Sequence, residues 1–365
     1  AKMVQLEEAE KANKVNQSVT AAQVEKLKQT HLKVKDDKEK IGKELKMEKD
    51  KESRLKDEIS KLQEAHEQQK LELEKKDNKM KRSIYRKPEF NAEYLTKGYV
   101  KTTLLSPEVV KDTLASIFNL KPDDNYAPDR EGFSRYHCTF LDTNEEYKRA
   151  TNKLFKSIFN PIVDQLFHNY HVWNANLYVK PPGTGKFEIH QNWTHVAKEE
   201  DTSFTIWCPL VDTTVENGTI ALVEGSHKIF SDIATMDVPY YFKNFEDKLI
   251  EKYLNPISCK AGDAVIFEDG VIHFSDVNKS EKPRYALQIL IGPKEVNPVY
   301  YYFDSNSPGK EFELFEINDE FFMKNSHLTF RNRPSAQRSM GFVENSNQLV
   351  SEEEFIEALS NGNKR

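Results

Sequence analysis

The stretch AGDAVIFEDGVIHFSDVNKSEKPRYALQILIG, residues 261–292, decides the fold of this chain. It contains two runs rich in apolar, largely β-branched and aromatic residues, 263–269 and 284–292, separated by glycine, asparagine and Lys-Pro turn signals. Runs of this length and composition predict strands. In the second run Arg284, Ala286 and Gln288 share one face, because successive side chains of a strand alternate between faces. The stretch therefore indicates a β-sheet that presents polar side chains on one face, where they could line a cavity.

The sequence upstream continues this pattern. Apolar spacing typical of helices occupies 104–120 and 144–168. After these helices the period changes, and strands are predicted at 173–180, 203–211 and 218–224. Short strands at this spacing, with few helices between them, predict a mainly β fold, an antiparallel barrel or jelly roll with helices packed on its outside.

The N-terminal part differs from the rest of the chain. Residues 1–84 contain no Phe, Trp, Tyr or Pro and one glycine, Gly42, whereas Lys, Glu, Gln and Ala are abundant, which favours a long helix. Apolar residues occupy two heptad positions four residues apart: Leu6, Leu27, Val34, Ile41, Leu55 and Leu62, and then Met3, Val24, Leu45, Ile59, Leu73 and Met80. This register predicts a coiled coil that makes the chain a homo-oligomer.

Charged residues such as Lys38 and Glu52 interrupt the apolar seam of this register, so a solvated single helix or a partly disordered spacer is the alternative. We expect two domains. The first is a coiled-coil oligomerisation helix over 1–84. The second, over 85–365, is the jelly-roll domain with its helical flanks and a C-terminal tail.

Composition excludes several classes of protein. A net charge of -6 with abundant acids and bases argues against a nucleic-acid binder. No run of about 18 apolar residues is present, so no membrane span is expected. The three cysteines are scattered, and no charged n-region with an apolar h-region opens the chain. These features predict a cytoplasmic protein.

The motif FEIHQNWTH, residues 187–195, raises the possibility of a metal site. His190 and Asn192 are two residues apart, so in a strand their side chains would share a face. His273 follows the predicted strand 263–269 by a few residues. Two histidines and one oxygen ligand would form a facial triad that leaves positions open on an iron ion. Arg284 could then bind a carboxylate bidentately, which predicts a dicarboxylic co-substrate.

With these residues in this order, the region from about 170 to 293 resembles the phytanoyl-CoA dioxygenase family of iron(II)/2-oxoglutarate oxygenases. HQN at 190–192 stands where the family has His-x-Asp. ENGTIALVEGSH at 216–227 matches the family's Asn-Gly turn and Gly-Ser-His, and residues 261–284 match its Gly-Asp strand, second histidine and arginine.

The resemblance implies a double-stranded β-helix that binds Fe(II) at one end. His190 and His273 would be iron ligands, and Arg284 would hold the distal carboxylate of 2-oxoglutarate. Ser275 would assist at that carboxylate and Trp207 would form a wall of the pocket, with His227 nearby. The implied reaction is hydroxylation of a small or carrier-bound organic substrate, with succinate and carbon dioxide as co-products.

Asn192 departs from the family pattern, because an amide replaces the aspartate. It could be a weaker third ligand of a working oxygenase. The site could instead have lost its metal, which would leave a non-catalytic binding or scaffold module oligomerised by the coiled coil. A carboxylate could also come from elsewhere, such as Glu188 or Asp201. Asn192→Asp is expected to raise iron affinity, provided that the neighbouring side chains accept the charge.

The C-terminal part offers one clear local signal. SEEE at 351–354 is a capping-box signature that predicts the start of a short amphipathic helix. The aromatic residues between 300 and 330 are expected to pack this tail against the barrel. A lid over the substrate is the alternative role for the segment.

Overall fold

The structure, a computed structural model, describes the chain in six segments: 2–81, 83–128, 135–198, 200–230, 232–304 and 311–361. Within the first helix, side chains are described at 7–8, 10–11, 14, 20–21 and 23–70. The chain divides into two compact units, Ala1–Asp77 and Asn78–Arg365.

The first unit is a long helix, α1 (Lys2–Lys81), as the composition predicts. The absence of proline lets the backbone hydrogen bonds run without interruption. Ion pairs one turn apart, Glu39–Lys43 at 3.2 Å and Glu52–Lys56 at 2.8 Å, add modest support on the surface. The described heptad residues between 24 and 62 are exposed in the single chain. Whether a second helix covers them stays a prediction.

The second unit combines antiparallel strands with flanking helices. Its helices are α2 (Pro88–Lys97), α3 (Pro107–Phe118), α4 (Glu145–Leu166), α5 (Glu246–Lys252), α6 (Asp319–Lys324) and α7 (Glu352–Asn361). Its strands are β1 (Tyr99–Thr103), β2 (His137–Cys138), β3 (Tyr170–Lys180), β4 (Phe187–His190), β5 (Phe204–Pro209), β6 (Ala221–Leu222), β7 (Asn255–Pro256), β8 (Asp263–Glu268), β9 (His273–Ser275), β10 (Arg284–Pro293), β11 (Val299–Tyr302), β12 (Glu311–Glu316) and β13 (Arg338–Glu344).

These strands form three antiparallel sheets. The largest has the order β1-β8-β5-β10-β3-β2, the second β4-β9-β6-β7, and the third β11-β12-β13. The first two sheets and the outer helices give a jelly-roll-like fold, in agreement with the sequence prediction. No helix in the described part of the chain has both the length and the apolar character needed to cross a bilayer.

The predicted helices 104–120 and 144–168 are confirmed as α3 and α4. Ser106 caps α3, since its Oγ accepts from the Val109 N–H at 3.4 Å. Four of the predicted strands are confirmed as β3, β5, β8 and β10. The core between α4 and the large sheet is apolar and aromatic, with Phe155, Phe159, Leu177, Ile206 and Ile289 fully buried. This packing fixes the sheet whose opposite face carries the polar residues.

The strand predicted over 218–224 was mostly wrong, because only Ala221–Leu222 pair as β6. Gly218 lies in a turn with a φ of 71°, a conformation that favours glycine. Its carbonyl oxygen accepts from the Ser275 hydroxyl at 2.7 Å and from Arg284 Nη1 at 3.1 Å. The Gly218 carbonyl thus bonds side chains of the site instead of a neighbouring strand.

Candidate metal and co-substrate site

His190 and His273 meet on neighbouring strands, as the sequence predicts. His190 ends β4 and His273 begins β9, and the two residues are direct partners in the antiparallel pairing. Their ring centroids are 4.1 Å apart. The antiparallel register therefore brings together two histidines that are far apart in sequence.

Each of these rings is held in one tautomer by the backbone. His190 Nδ1 lies 2.7 Å from the Glu188 carbonyl oxygen, and His273 Nδ1 lies 2.9 Å from that of Val271. A carbonyl oxygen only accepts, so Nδ1 carries the proton and Nε2 keeps its lone pair. Burial lowers the pKa of both rings, and His190 lowers that of His273 further. Both imidazoles are therefore in the neutral form that binds a metal.

Asn192 lies beyond the end of β4, so the expectation that it shares a strand face with His190 was wrong. The loop is held instead by Asp269, whose carbonyl oxygen accepts from the Asn192 backbone N–H at 3.0 Å. The Asn192 side-chain Nδ2 donates to Thr205 Oγ1 at 2.9 Å and to Asp269 Oδ1 at 3.0 Å. Within the described residues no hydrogen bond reaches Asn192 Oδ1, so this oxygen is the ligand atom that Asn192 can offer.

Asp269 is a buried carboxylate that the sequence analysis missed. Its side chain also accepts from Ser203 Oγ at 2.6 Å and Thr205 Oγ1 at 2.8 Å. Burial raises the pKa of Asp269 to about 6. In the sequence Asp269 and Gly270 form an Asp-Gly pair that is typical of a turn, so nothing there indicates a site residue.

The alternative carboxylates do not complete a cluster with the two histidines. Glu188 is exposed and pairs with Lys186 at 2.8 Å. Across the described ranges, three metal-binding side chains of the His, Cys, Asp or Glu type come together only at Asp124, His137 and Asp142. Asp201 is therefore not part of such a group either.

The cluster of Asp124, His137 and Asp142 is explained by hydrogen bonds within the fold. His137 Nδ1 lies 2.7 and 2.8 Å from the two Asp124 carboxylate oxygens. Its Nε2 lies 2.7 Å from the Tyr147 hydroxyl. Both ring nitrogens are engaged, so this histidine is a packing residue that links β2 to α4.

The second half of the site is a buried pair of basic side chains, Arg284 and Lys180. Arg284 is 2% exposed, its guanidinium lies 5.4 Å from the Trp207 ring centre, and its Nη1 donates to Gly218. In the described structure Arg284 Nε has no hydrogen-bond partner. Lys180, fully buried, is the direct strand partner of Arg284 in the β3–β10 register. Such a donor-rich, buried environment is suited to an anion.

Lys180 and Ser275 extend this cationic end of the site. Lys180 Nζ lies 2.6 Å from Ser275 Oγ, 2.9 Å from the Ser275 carbonyl oxygen and 2.6 Å from that of Asp276. Burial, and after it the charge of Arg284, lower the pKa of Lys180 to about 5; burial also lowers that of Arg284 to about 9. No carboxylate of the described chain pairs with either basic side chain within 4.0 Å. Nothing in the sequence singles out Lys180, since a lysine at a strand end usually faces solvent.

A cavity of about 790 Å³ lies beside this site. Its floor is polar, and its walls are mostly aromatic: Asn174, Asn176, Thr205 and Gln288 form the floor, and Tyr136, Phe140, Tyr178, Phe187, Trp193, Phe322 and Phe330 belong to the walls. His190 and Asn192 line the cavity, and Trp207 packs against Arg284, the residue expected to hold the co-substrate. His227 lies beside Tyr94, with ring centroids 5.5 Å apart.

Antiparallel sheets, paired histidines and a buried arginine are together typical of an oxygenase that uses a metal and a 2-oxo acid. The family model for phytanoyl-CoA dioxygenase (PhyH) matches residues 14–286. This chain belongs to that family, which the resemblance of its motifs had indicated.

Among curated proteins, the chain is similar to a phytanoyl-CoA dioxygenase domain-containing protein 1 homolog of Dictyostelium discoideum. The two are 30% identical over 112 residues, which cover 29% of this chain and 40% of the relative. A probable alpha-ketoglutarate-dependent hypophosphite dioxygenase of Stutzerimonas stutzeri is 29% identical over 157 residues, or 37% of this chain and 52% of that protein. The chain thus spans about half or less of the length of these relatives.

Two solved structures illustrate the likeness in three dimensions. The non-heme alpha ketoglutarate dependent epimerase SnoN from nogalamycin biosynthesis has a TM-score of 0.44 and 15% identity, covering 72% of this chain and 95% of its own. HygX from Streptomyces hygroscopicus, with nickel, 2-oxoglutarate and hygromycin B bound, has a TM-score of 0.41 and 13% identity, covering 57% and 87%. At these identities the likeness says nothing about the chemistry of this chain, which depends on its own residues.

Proposed function

We propose that this chain is an iron(II)/2-oxoglutarate-dependent dioxygenase that hydroxylates an organic substrate. The observation that carries the proposal is the pairing of two features within one fold. Two neutral imidazoles lie side by side with unprotonated Nε2 atoms, and two buried basic side chains nearby, Arg284 and Lys180, have no carboxylate partner in the described chain. A divalent metal fits the first feature and a dicarboxylate fits the second.

The metal would be held by Nε2 of His190, Nε2 of His273 and Oδ1 of Asn192. Iron(II) bound there would activate dioxygen, with 2-oxoglutarate oxidised to succinate and carbon dioxide, and so supply the oxidant for hydroxylation of a C–H bond. The chain contributes orientation, because the backbone carbonyls of Glu188 and Val271 fix both rings. Burial of His273, at 7% exposed, also keeps water from that side of the site.

The distal carboxylate of 2-oxoglutarate would bind to Arg284 and Lys180. Arg284 lies at the start of β10, and its rigid strand and the Trp207 ring limit its side-chain motion. Ser275 is within hydrogen-bond distance of Lys180, so its hydroxyl positions the ammonium group. Two cations beside one carboxylate make this end of the site strongly selective for an anion.

The substrate that fits the cavity is uncharged, with an apolar body and at least one hydrogen-bond donor. Charged side chains of the lining are already paired: Lys186 with Glu188 at 2.8 Å, Lys243 with Glu246 at 2.9 Å, and Asp237 with Arg331 at 3.3 Å. Asn174 is 3% exposed, and its Oδ1 has no hydrogen-bond partner among the described residues. A hydroxyl or amide N–H of the substrate would satisfy it.

The scaffold alternative rests on Asn192, since an amide holds a dication less tightly than an aspartate. Membership of a dioxygenase family does not favour this alternative. Metal content separates the two functions, because a scaffold needs neither the metal nor the co-substrate.

The test is anaerobic titration of the full chain with iron(II), followed by succinate release from 2-oxoglutarate in air. We expect one iron per chain and measurable succinate release. His190→Ala and His273→Ala should abolish both, whereas His168→Ala, which changes an exposed histidine, should leave both intact. A folded natural chain that binds neither iron nor 2-oxoglutarate would contradict the proposal and support the scaffold.

A further inference from the structure

We infer that Asp269 is a positioning residue for the metal and acts through Asn192, so that the Asn192–Asp269 pair replaces the single carboxylate expected at this position. The inference rests on the proposed metal site. It explains how a site without a carboxylate ligand keeps a negative charge beside the dication.

Three hydrogen-bond donors surround the Asp269 carboxylate. The carboxylate is 4% exposed and receives hydrogen bonds at both oxygens. Ser203 Oγ donates to Oδ2, while Thr205 Oγ1 and Asn192 Nδ2 donate to Oδ1. Three donors directed at one carboxyl group stabilise its ionised form, which accepts hydrogen bonds and donates none.

The Asp269 carboxylate fixes the orientation of the Asn192 amide. An ionised carboxylate needs an N–H group opposite it, so Nδ2 and not Oδ1 must face Asp269. Thr205 agrees with this assignment, because its hydroxyl proton goes to Asp269 and its oxygen accepts from Asn192 Nδ2 at 2.9 Å. The Asn192 carbonyl oxygen is therefore directed away from Asp269 and is available as a metal ligand.

The charge of Asp269 also affects Asn192 Oδ1. A hydrogen bond from Nδ2 to a carboxylate draws electron density through the amide towards Oδ1 and makes it a better ligand. The same relation exists where a carboxylate orients a metal-bound histidine and raises its basicity. In addition, a full negative charge inside a site of low dielectric lowers the energy of the dication, even without direct coordination.

This arrangement changes the expectation for Asn192→Asp. The sequence alone predicts a gain in iron affinity, provided that the neighbours accept the charge. The neighbour is Asp269, whose Oδ1 lies 3.0 Å from the position of Asn192 Nδ2. Two carboxylates at that distance repel each other, and the hydrogen bond between the two side chains is lost. The single substitution should therefore give no gain over the natural chain.

The experiment measures manganese(II) affinity of the full chain by calorimetry, for four variants beside the natural chain. Asp269→Asn should lower the affinity about 10–100-fold, the range typical of lost outer-shell partners. The double variant Asn192→Asp/Asp269→Asn moves the carboxylate to position 192 and restores the hydrogen bond in reverse. This double variant should bind manganese(II) with an affinity within roughly a few-fold of that of the natural chain. Asn192→Asp alone should bind no more tightly than the natural chain.

Glu268→Gln is the matched control, since it removes the charge of the adjacent buried carboxylate, at 8% exposed, which hydrogen-bonds to Tyr94. It should lower the manganese affinity much less than Asp269→Asn does. Thermal unfolding without metal shows that each variant is folded. If Asp269→Asn does not fold, rescue of affinity by the double variant still decides the question.

Two results would overturn the inference. One is an unchanged affinity of folded Asp269→Asn while the natural chain binds manganese, which would leave the proposed function standing. The other is a folded double variant that does not bind, because a carboxylate at position 192 should then suffice. A natural chain without any metal affinity would overturn the inference and the proposed function together.

Discussion

Arg284 is a buried positive charge in the candidate co-substrate site. Its guanidinium is buried, stacked near Trp207, and bonded to one backbone carbonyl, with Nε unsatisfied in the described chain. Burial lowers its pKa to about 9, so it is still protonated at neutral pH. A buried charge of this kind is costly unless a ligand compensates it.

Arg284→Ala should therefore weaken 2-oxoglutarate binding by about 2–5 kcal/mol, the usual cost of removing one partner of a buried charged pair. Calorimetric titration with 2-oxoglutarate, in the presence of a redox-inert divalent metal, measures this. Arg338→Ala, which changes an exposed arginine on β13, should leave the affinity unchanged. Equal affinities of natural and Arg284→Ala chains would mean that the arginine is only structural.

The low pKa of Lys180 leads us to expect that the affinity for 2-oxoglutarate depends on pH. Its pKa is about 5 without a ligand, and an adjacent anionic carboxylate would raise it. Between these two pKa values the bound form carries one more proton than the free form. The affinity for 2-oxoglutarate should then fall as pH rises, by at most about tenfold per pH unit.

Calorimetry in two buffers with different ionisation enthalpies counts the protons taken up on 2-oxoglutarate binding. The natural chain should take up close to one proton at neutral pH. Lys180→Met should take up none and should lose the pH dependence. Proton uptake that persists in Lys180→Met would assign it to another group.

At the scale of single elements, α7 shows how a local signal becomes part of the core. Ser351 and Glu354 form the predicted capping box, with the Ser351 N–H donating to Glu354 Oε2 at 2.8 Å and the Glu354 N–H to Ser351 Oγ at 3.2 Å. The helix that follows buries Phe355 in an apolar cluster that includes Ile272 and Phe274, the neighbours of His273. The cap therefore supports a strand of the candidate site.

Ser351→Ala should lower the free energy of unfolding by about 0.5–2 kcal/mol, because the first turn of α7 loses its side-chain acceptor. Chemical denaturation of the full chain measures the change. Ser360→Ala is the control, since Ser360 is exposed near the other end of the same helix. Equal losses for both variants would mean that the cap contributes nothing specific.

At the scale of the whole molecule, α1 is the feature that points to assembly. Large apolar side chains at the described heptad positions are 47% to 70% exposed in the single chain, for example Leu27 at 70%, Ile41 at 62% and Leu62 at 65%. A second copy of the same helix, in register, would cover this seam. The seam's polar interruptions would weaken the association without changing its register.

The full chain should therefore be a homo-oligomer, and a chain beginning near Ser83 should be monomeric. Leu27→Glu combined with Leu55→Glu should also give monomers, because both changes place charges in the seam. Leu32→Glu combined with Met47→Glu is the matched control, since these residues are exposed but lie outside the two heptad positions. Light scattering measures the masses, and a monomeric full chain would refute the prediction.

The sequence by itself determined the helical N-terminal segment and the main strands, and it singled out three candidate site residues. A segment without aromatic residues or proline cannot build a globular core, so α1 needed no tertiary information. β3, β5, β8 and β10 follow from composition and period. His190, His273 and Arg284 were visible because the spacing of their motifs is local.

Only the tertiary structure decided how the site is completed. Asn192 and Asp269 are 77 residues apart, and Lys180 reaches Ser275 across 95 residues. No periodicity links such pairs, because the partner of a buried polar group is chosen by the packing of distant strands. The failed part of the 218–224 strand has the same cause, since the Gly218 carbonyl bonds to Arg284 and Ser275. Local sequence fixes where strands form, whereas the charge balance of a buried site depends on the strands that meet there.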